Sequence, residues 1–197
     1  MQKKRMDSEP FEKGIKVLVL GASGSGTTTL GKELERKTYL RHLDVDDYYW
    51  KKTEPPFREK VPLSTRNKNL KSDFHRLANV VVSGSLVSWG KEWESAFDLV
   101  VFIRLANKER MGRLKKREEE RYGDKLLTDT GIQENSRAFL HWANQYENPH
   151  FKGRSLNAHI NWLKSFECPV LEVDGKLELS KKVELVLREM NGVGRTV

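Results

Sequence analysis

The chain has 197 residues, 37% of them hydrophobic and 32% charged, which suits one solvated α/β domain with a helical insert and leaves two full domains crowded. Its longest apolar runs, over residues 17–20 and 99–103, are far too short for a membrane span, and the start MQKKRMDSEPFEKG lacks the apolar stretch of a secretory signal. A net charge of +8 calls for an anionic partner, either nucleic acid or a phosphorylated small molecule.

Residues 1–14 are expected to form a frayed tail without function. Residues 15–20 (IKVLVL) read as a buried strand, because a β-branched and aliphatic run stops abruptly at the glycine-rich turn GASGSG. The helix-forming composition of TTTLGKELERK starts a helix near Thr27 or Thr28. Residues 39–45 form a second strand, followed by an acidic and aromatic cluster, the loop EPPF and a polar helix over 65–78. A third strand over 80–82 runs into SGSLVSWG, and residues 98–105 (DLVVFIRL) are the clearest strand. A highly charged segment over 107–122 and a loop to Gly131 precede helices over 133–146 and 155–166, a strand over 169–173 and a helix over 179–190. The single cysteine, Cys168, reads as a small apolar residue at the last strand; it precludes an internal disulfide and fits a reducing, cytoplasmic compartment. Strands alternating with helices imply a mainly parallel sheet wrapped by helices, and ligands of such sheets bind beyond the carboxyl ends of the strands.

The turn after the first strand follows the phosphate-loop template of Gly, four residues, Gly, Lys, then Ser or Thr, with one departure. Gly21, Ser23, Gly24, Ser25 and Gly26 supply the frame, Thr28 the hydroxyl, and Thr29 continues the helix, while Thr27 stands where lysine is expected. The glycines let the backbone aim successive N–H groups at one anion, and the helix behind adds the positive end of its dipole. Thr28 is the candidate ligand of a Mg²⁺ bridging the phosphates of ATP. Without the lysine one positive charge near the transferring phosphoryl is missing, which bears on turnover more than on binding.

VLVLGASGSGTTTLGKEL resembles the phosphate loop of the adenylate, cytidylate, shikimate and nucleoside kinase group. Its GSGTTT form is similar to that of archaeal-type cytidylate kinases, which lack this lysine, and more so to bacterial ATP-binding proteins of adenylate-kinase-like fold. The resemblance runs from Ile15 to the final helix and implies a three-layer α/β fold with a five-stranded parallel sheet in the order 2-3-1-4-5.

After the second strand, HLDVDDYYW gathers Asp44, Asp46 and Asp47. A carboxylate there can accept the proton of an attacking hydroxyl or hold Mg²⁺ through water; alternatively the three form a capping and turn cluster. DDYYW resembles the Asp-Asp-aromatic element of uridine and nicotinamide riboside kinases, and Asp44 with Asp46 resembles the Asp-x-Asp of shikimate kinase. Asp46 is therefore the first candidate base, Asp47 the second, and Asp44 a candidate metal ligand. Tyr48, Tyr49, Trp50 and Phe57 either wall an acceptor site or anchor a loop. The third strand ends without a carboxylate, leaving Ser85 and Trp89 as candidate substrate contacts and Trp93 as packing.

Arg110, Arg113, Arg117 and Arg121 recur at helical spacing within an arc of roughly 80°. The resemblance makes this the lid helix, whose arginines close over phosphates, and Arg113 and Arg117 the candidates to replace the missing lysine. Glu118, Glu119 and Glu120 offer the alternative of an ordinary ion-paired helix. Interruption by glutamates and the lack of interleaved aromatics argue against nucleic acid as a partner. Arg137 and Arg154 are further candidates for substrate phosphate; His141 and His159 are expected on helix faces, and Trp142 and Trp162 in the core. The expectation is thus a monomeric or homodimeric kinase with an acceptor-side insert over about 46–78 and a lid over about 107–131. It would transfer the γ-phosphoryl group of ATP to a nucleoside, nucleotide or other small molecule. The rivals are a non-catalytic nucleotide-binding module and a nucleic-acid-associated ATPase.

Overall fold

A computed structural model describes residues 14–193. The expected tail therefore lies, apart from Gly14, outside the described residues. Five parallel strands form one sheet in the order β2-β3-β1-β4-β5: β1 (Ile15–Gly21), β2 (Arg41–Asp44), β3 (Asn79–Ser83), β4 (Leu99–Arg104) and β5 (Val170–Asp174). The central β1 pairs Val17 with Val81 and with Leu99, so its neighbours enclose it on both edges. Val17, Leu18, Val19 and Leu20 are wholly buried, the continuous apolar run expected of a strand covered on both faces. Burial of each such side chain contributes about 1.5–3 kcal/mol, which makes β1 a rigid mount for the turn at its carboxyl end.

Side chains alternate between the two faces. Val17, Val19, Val81, Val101 and Ile103 pack beneath α1 (Thr27–Lys37) and α8 (Leu179–Val193). Leu18, Leu20, Val80, Val82, Val100 and Phe102 pack with Leu70 and Phe74 of α3 (Leu63–His75) and with Leu156, Trp162 and Leu163 around α7 (Leu156–Leu163). The layers are helix, sheet, helix. α4 (Asn107–Tyr122), α5 (Lys125–Thr128) and α6 (Thr130–Asn144) follow β4, with α4 against α6.

Expected and observed elements differ mainly after β2. The strand ends at Asp44, and a short helix α2 (Val45–Tyr49) begins because the Asp44 carboxylate accepts from the Asp46 N–H at 3.0 Å. α5 is a further addition; a single turn carries too little periodicity to be read from sequence. From β1 the chain crosses to β2 at one edge, returns through β3 and then passes to β4 on the other side, so the strand order reverses about β1. The crevice of such a sheet opens at that reversal.

Candidate active site

Gly21 ends β1 and the chain turns back at once, with Ser25 N–H donating to the Ala22 carbonyl at 3.0 Å. Gly24 and Gly26 take positive φ values of 84° and 101°. A Cβ on Gly24 would stand 2.9 Å from the Arg110 carbonyl oxygen, so only glycine lets α4 approach the turn. Gly26 occupies the position before α1, where no side chain caps the helix. Its first N–H groups are consequently free to meet an anion, with the helix dipole behind them. Thr27 and Thr28 are half-buried in that first turn and Thr29 is exposed. Ser25 is wholly buried, and its hydroxyl has no partner among the described residues.

Two arginines reach Ser23 from distant parts of the chain. Arg110, fully buried, donates from Nη1 to the Ser23 carbonyl at 3.2 Å and from Nη2 to Glu147 at 2.6 Å. Arg154, in the segment before α7, donates from Nη2 to the Ser23 hydroxyl at 3.1 Å while its guanidinium lies 4.9 Å from the centre of the Trp142 ring. Removal from water, opposed by Asp46, holds Arg154 below the ordinary arginine value.

Asp46 and Asp47 lie in the first turn of α2 and are exposed. Asp46 is nevertheless ringed by protein: desolvation and then the Asp44 charge raise its proton affinity, with Arg154 and Arg117 partly opposing them. A carboxylate open to solvent yet crowded by protein fits the floor of a cleft. Arg113 donates from Nη2 to the Gly175 carbonyl at 3.2 Å and approaches Gly26 with Nη1. Arg117 stands over Phe139 at 5.4 Å, and Arg121 pairs with Glu118 at 3.2 Å and covers the Phe57 ring at 4.5 Å.

The turn over 21–29, Asp46, Arg113, Arg117 and Arg154 therefore lie near one another beyond the carboxyl end of β1. Asp44 caps α2. Other expected residues are engaged elsewhere. The Tyr48 hydroxyl donates to Asp73 at 2.8 Å, anchoring α2 to α3. Ser85 is buried with its hydroxyl 2.9 Å from His159 Nε2, and Trp89 is packed in the core. The arginine stripe divides: Arg110 turns inward as a structural ion pair, and Arg121 pairs with Glu118 as the alternative reading held. His159 sits on the inward face of α7. It is wholly buried, with Nδ1 2.7 Å from the Tyr146 hydroxyl, and burial and the Arg154 charge push it down to about 3. Trp142 is half-buried and serves as the platform for Arg154. Arg137 is exposed on α6. Glu147 and Arg66 escaped sequence reasoning because neither belongs to a motif or a periodic stripe; their partners are set by packing.

Residues 17–139 match the protein family described as AAA domain. A Bacillus subtilis (strain 168) relative, uncharacterized protein YqaC, is 37% identical over 169 residues, covering 86% of this chain and 93% of that protein. Among solved structures, shikimate kinase from Acinetobacter baumannii in complex with shikimate is similar with a TM-score of 0.56 at 15% identity, covering 95% of this chain and 98% of that one. Deoxyadenosine kinase from M. mycoides, with product dCMP and dCDP bound, is similar with a TM-score of 0.51 at 18% identity, covering 90% of this chain and 100% of that one. At such identities the likeness is one of fold, a five-stranded parallel sheet with flanking helices.

Proposed function

Because the chain belongs to the AAA-domain family of P-loop proteins, we propose that it is a cytoplasmic kinase transferring the γ-phosphoryl group of ATP to a small molecule, with nucleosides and nucleotides the first acceptors to try. The observation that carries this reading is the proximity of an uncapped α1 start, the Asp46 carboxylate and the Arg154 guanidinium. The turn over 21–29 binds the donor phosphates, residues about 46–78 form the acceptor side and residues about 107–131 the lid.

As the acceptor oxygen bonds to Pγ, its proton passes to Asp46 and the bond from Pγ to the bridging oxygen breaks, releasing ADP. The raised proton affinity of Asp46 suits a base that must accept this proton. Arg154 lies at Ser23 and supplies a cation in place of the lysine that Thr27 replaces, with Arg113 and Arg117 closing from α4. Among the described residues no group of three His, Cys, Asp or Glu could hold a metal alone. That fits Mg²⁺, which takes one or two protein ligands and completes its shell with phosphate oxygens and water. Thr28 and Asp44 are the residues that would hold it, and it would neutralise charge on the β- and γ-phosphates.

Calorimetry with ATP, with and without Mg²⁺, tests binding, and detection of ADP and phosphorylated product across an acceptor panel tests transfer. ATP binding with no product from any acceptor would favour a second reading, a nucleotide-binding module without turnover. Thr27 at the lysine position is the observation behind that reading.

A further inference from the structure

Three arginines around Ser23 and Asp46 each lie over an aromatic ring supplied by α6 or the turn that ends it. The guanidinium carbon of Arg117 is 5.4 Å from the centre of the Phe139 ring, that of Arg154 4.9 Å from Trp142, and that of Arg110 5.0 Å from Tyr146. Phe139, Trp142 and Tyr146 recur at helical spacing, so the three rings follow one face of α6 and its end. The first two are stacked, with 6.2 Å between centres and 29° between planes. Phe139 and Tyr146 are as far apart in sequence as Arg110 and Arg117, and they meet those arginines in antiparallel register. The middle ring, Trp142, is taken by Arg154 from the segment before α7, while Arg113 of α4 turns to the Gly175 carbonyl.

Ion pairing separates the three cations. Arg110 is matched by Glu147, whereas no ion pair engages Arg117 or Arg154 among the described residues. A carboxylate partner would fix an arginine but cancel its charge. Attraction to a ring face holds the cation in place and leaves that charge for an incoming anion. It also removes in advance the rotamer freedom that a long side chain otherwise loses on binding. Phe139 and Trp142 are half-buried on a helix packed against α4, which makes them a firm mount. Their side-by-side rings place the two unmatched guanidiniums next to each other, and Arg154 also donates to the Ser23 hydroxyl at 3.1 Å. Resting on the kinase reading above, we propose that Phe139 and Trp142 are positioning residues, a stacked aromatic shelf that sets the Arg117 and Arg154 guanidiniums to hold two oxygens of the transferring phosphoryl group.

The test is a double-mutant cycle read in kcat and in KM for ATP, with the acceptor that gives most product. Trp142→Leu removes the ring and should lower kcat at least about tenfold while KM for ATP stays within about threefold. Trp142→Tyr keeps a ring face and should recover most of that loss. In the Arg154→Ala background Trp142→Leu should cost less than about twofold, because the shelf then has no cation to place. Phe139→Leu should depend on Arg117 in the same way, and this second cycle decides the matter if thermal melting shows that Trp142→Leu does not fold. No loss in Trp142→Leu, equal losses for Leu and Tyr at 142, or an undiminished loss in the Arg154→Ala background would overturn the proposal. If ATP binds but no acceptor turns over, the kinase reading fails and the same cycle is read in ATP affinity by calorimetry. A loss in Trp142→Leu that vanishes without Arg154 then upholds the shelf, and an additive loss refutes it.

Discussion

The Nη2 group of Arg154 donates to the hydroxyl of Ser23 at 3.1 Å across 131 residues of sequence, bringing its guanidinium to the glycine-rich turn in which Thr27 stands at the template's lysine position. The same guanidinium lies over Trp142 and acts on Asp46. One side chain thus joins the glycine-rich turn to Asp46, the proposed base.

If Arg154 takes the place of the missing lysine, Arg154→Ala lowers kcat by about 100-fold or more, the size of effect seen when one transition-state donor is lost. Thr27→Lys alone changes kcat little, because the charge is already supplied. In the Arg154→Ala background it recovers at least about tenfold. Steady-state kinetics of the four proteins check this; additive effects would show that the two positions serve different steps.

The crowding of Asp46 has opposite consequences for activity and stability. Its carboxyl is harder to ionise in the folded protein than in the unfolded chain. Activity therefore falls as pH drops through this raised value, since a protonated base cannot accept the acceptor's proton. Stability runs the other way. Above the raised value the folded state carries a disfavoured charge, and well below the ordinary carboxyl range both states are protonated and the penalty vanishes. Asp46→Asn should lower kcat by at least about 100-fold and yet raise Tm at neutral pH, with no gain in strongly acid solution. A fall in Tm at neutral pH would contradict this reading.

Arg110 and Glu147 form an asymmetric pair, since the Arg110 side chain is 0% exposed and that of Glu147 is 36% exposed. Glu147→Ala strands a buried guanidinium and should cost about 3 kcal/mol, near the lower end for broken buried pairs. Arg110→Met leaves only a carboxylate that can turn to water, so it costs less in stability. It also removes the donor to the Ser23 carbonyl and should weaken ATP binding. Urea denaturation and ATP titration of both variants separate the two effects.

His159 is held neutral by burial and by Arg154, its value pushed from the ordinary 6.5 to about 3. The unfolded chain binds a proton near pH 6.5 and the folded protein does not. Its contribution to stability is therefore whole above pH 6.5 and is lost as pH falls toward about 3, with a slope of about 1.4 kcal/mol per pH unit. A variant that keeps a polar partner for Ser85 and Tyr146, His159→Gln, should flatten this part of the curve. An unchanged slope would mean that other groups dominate acid unfolding.

Much of the sheet was legible in the sequence. Runs such as IKVLVL and LVVFIR are apolar on both faces, which only a covered parallel strand tolerates, and the glycines of GASGSG mark where the backbone must take left-handed values. α2 was missed because its start depends on a single cap, Asp44, that reads equally well as the end of a strand. The roles of the arginines were less legible. Spacing aligned Arg110 with Arg113 and Arg117, but it carries no information on which of them meets a buried carboxylate.

By itself the sequence determined the alternation of strands and helices, the glycine-rich turn and the acidic cluster after β2. These depend on neighbours within a few residues, through backbone sterics, side-chain period and capping. Only the tertiary structure decided that Arg110 is buried against Glu147, that Arg154 reaches Ser23, that His159 is sealed from water and that Arg66 lies over the Tyr49 and Trp89 rings. Those relations join residues far apart in the chain. Whether a charge ends beside an anion, a ring or nothing depends on how the strand order folds the chain back across the carboxyl ends of the sheet.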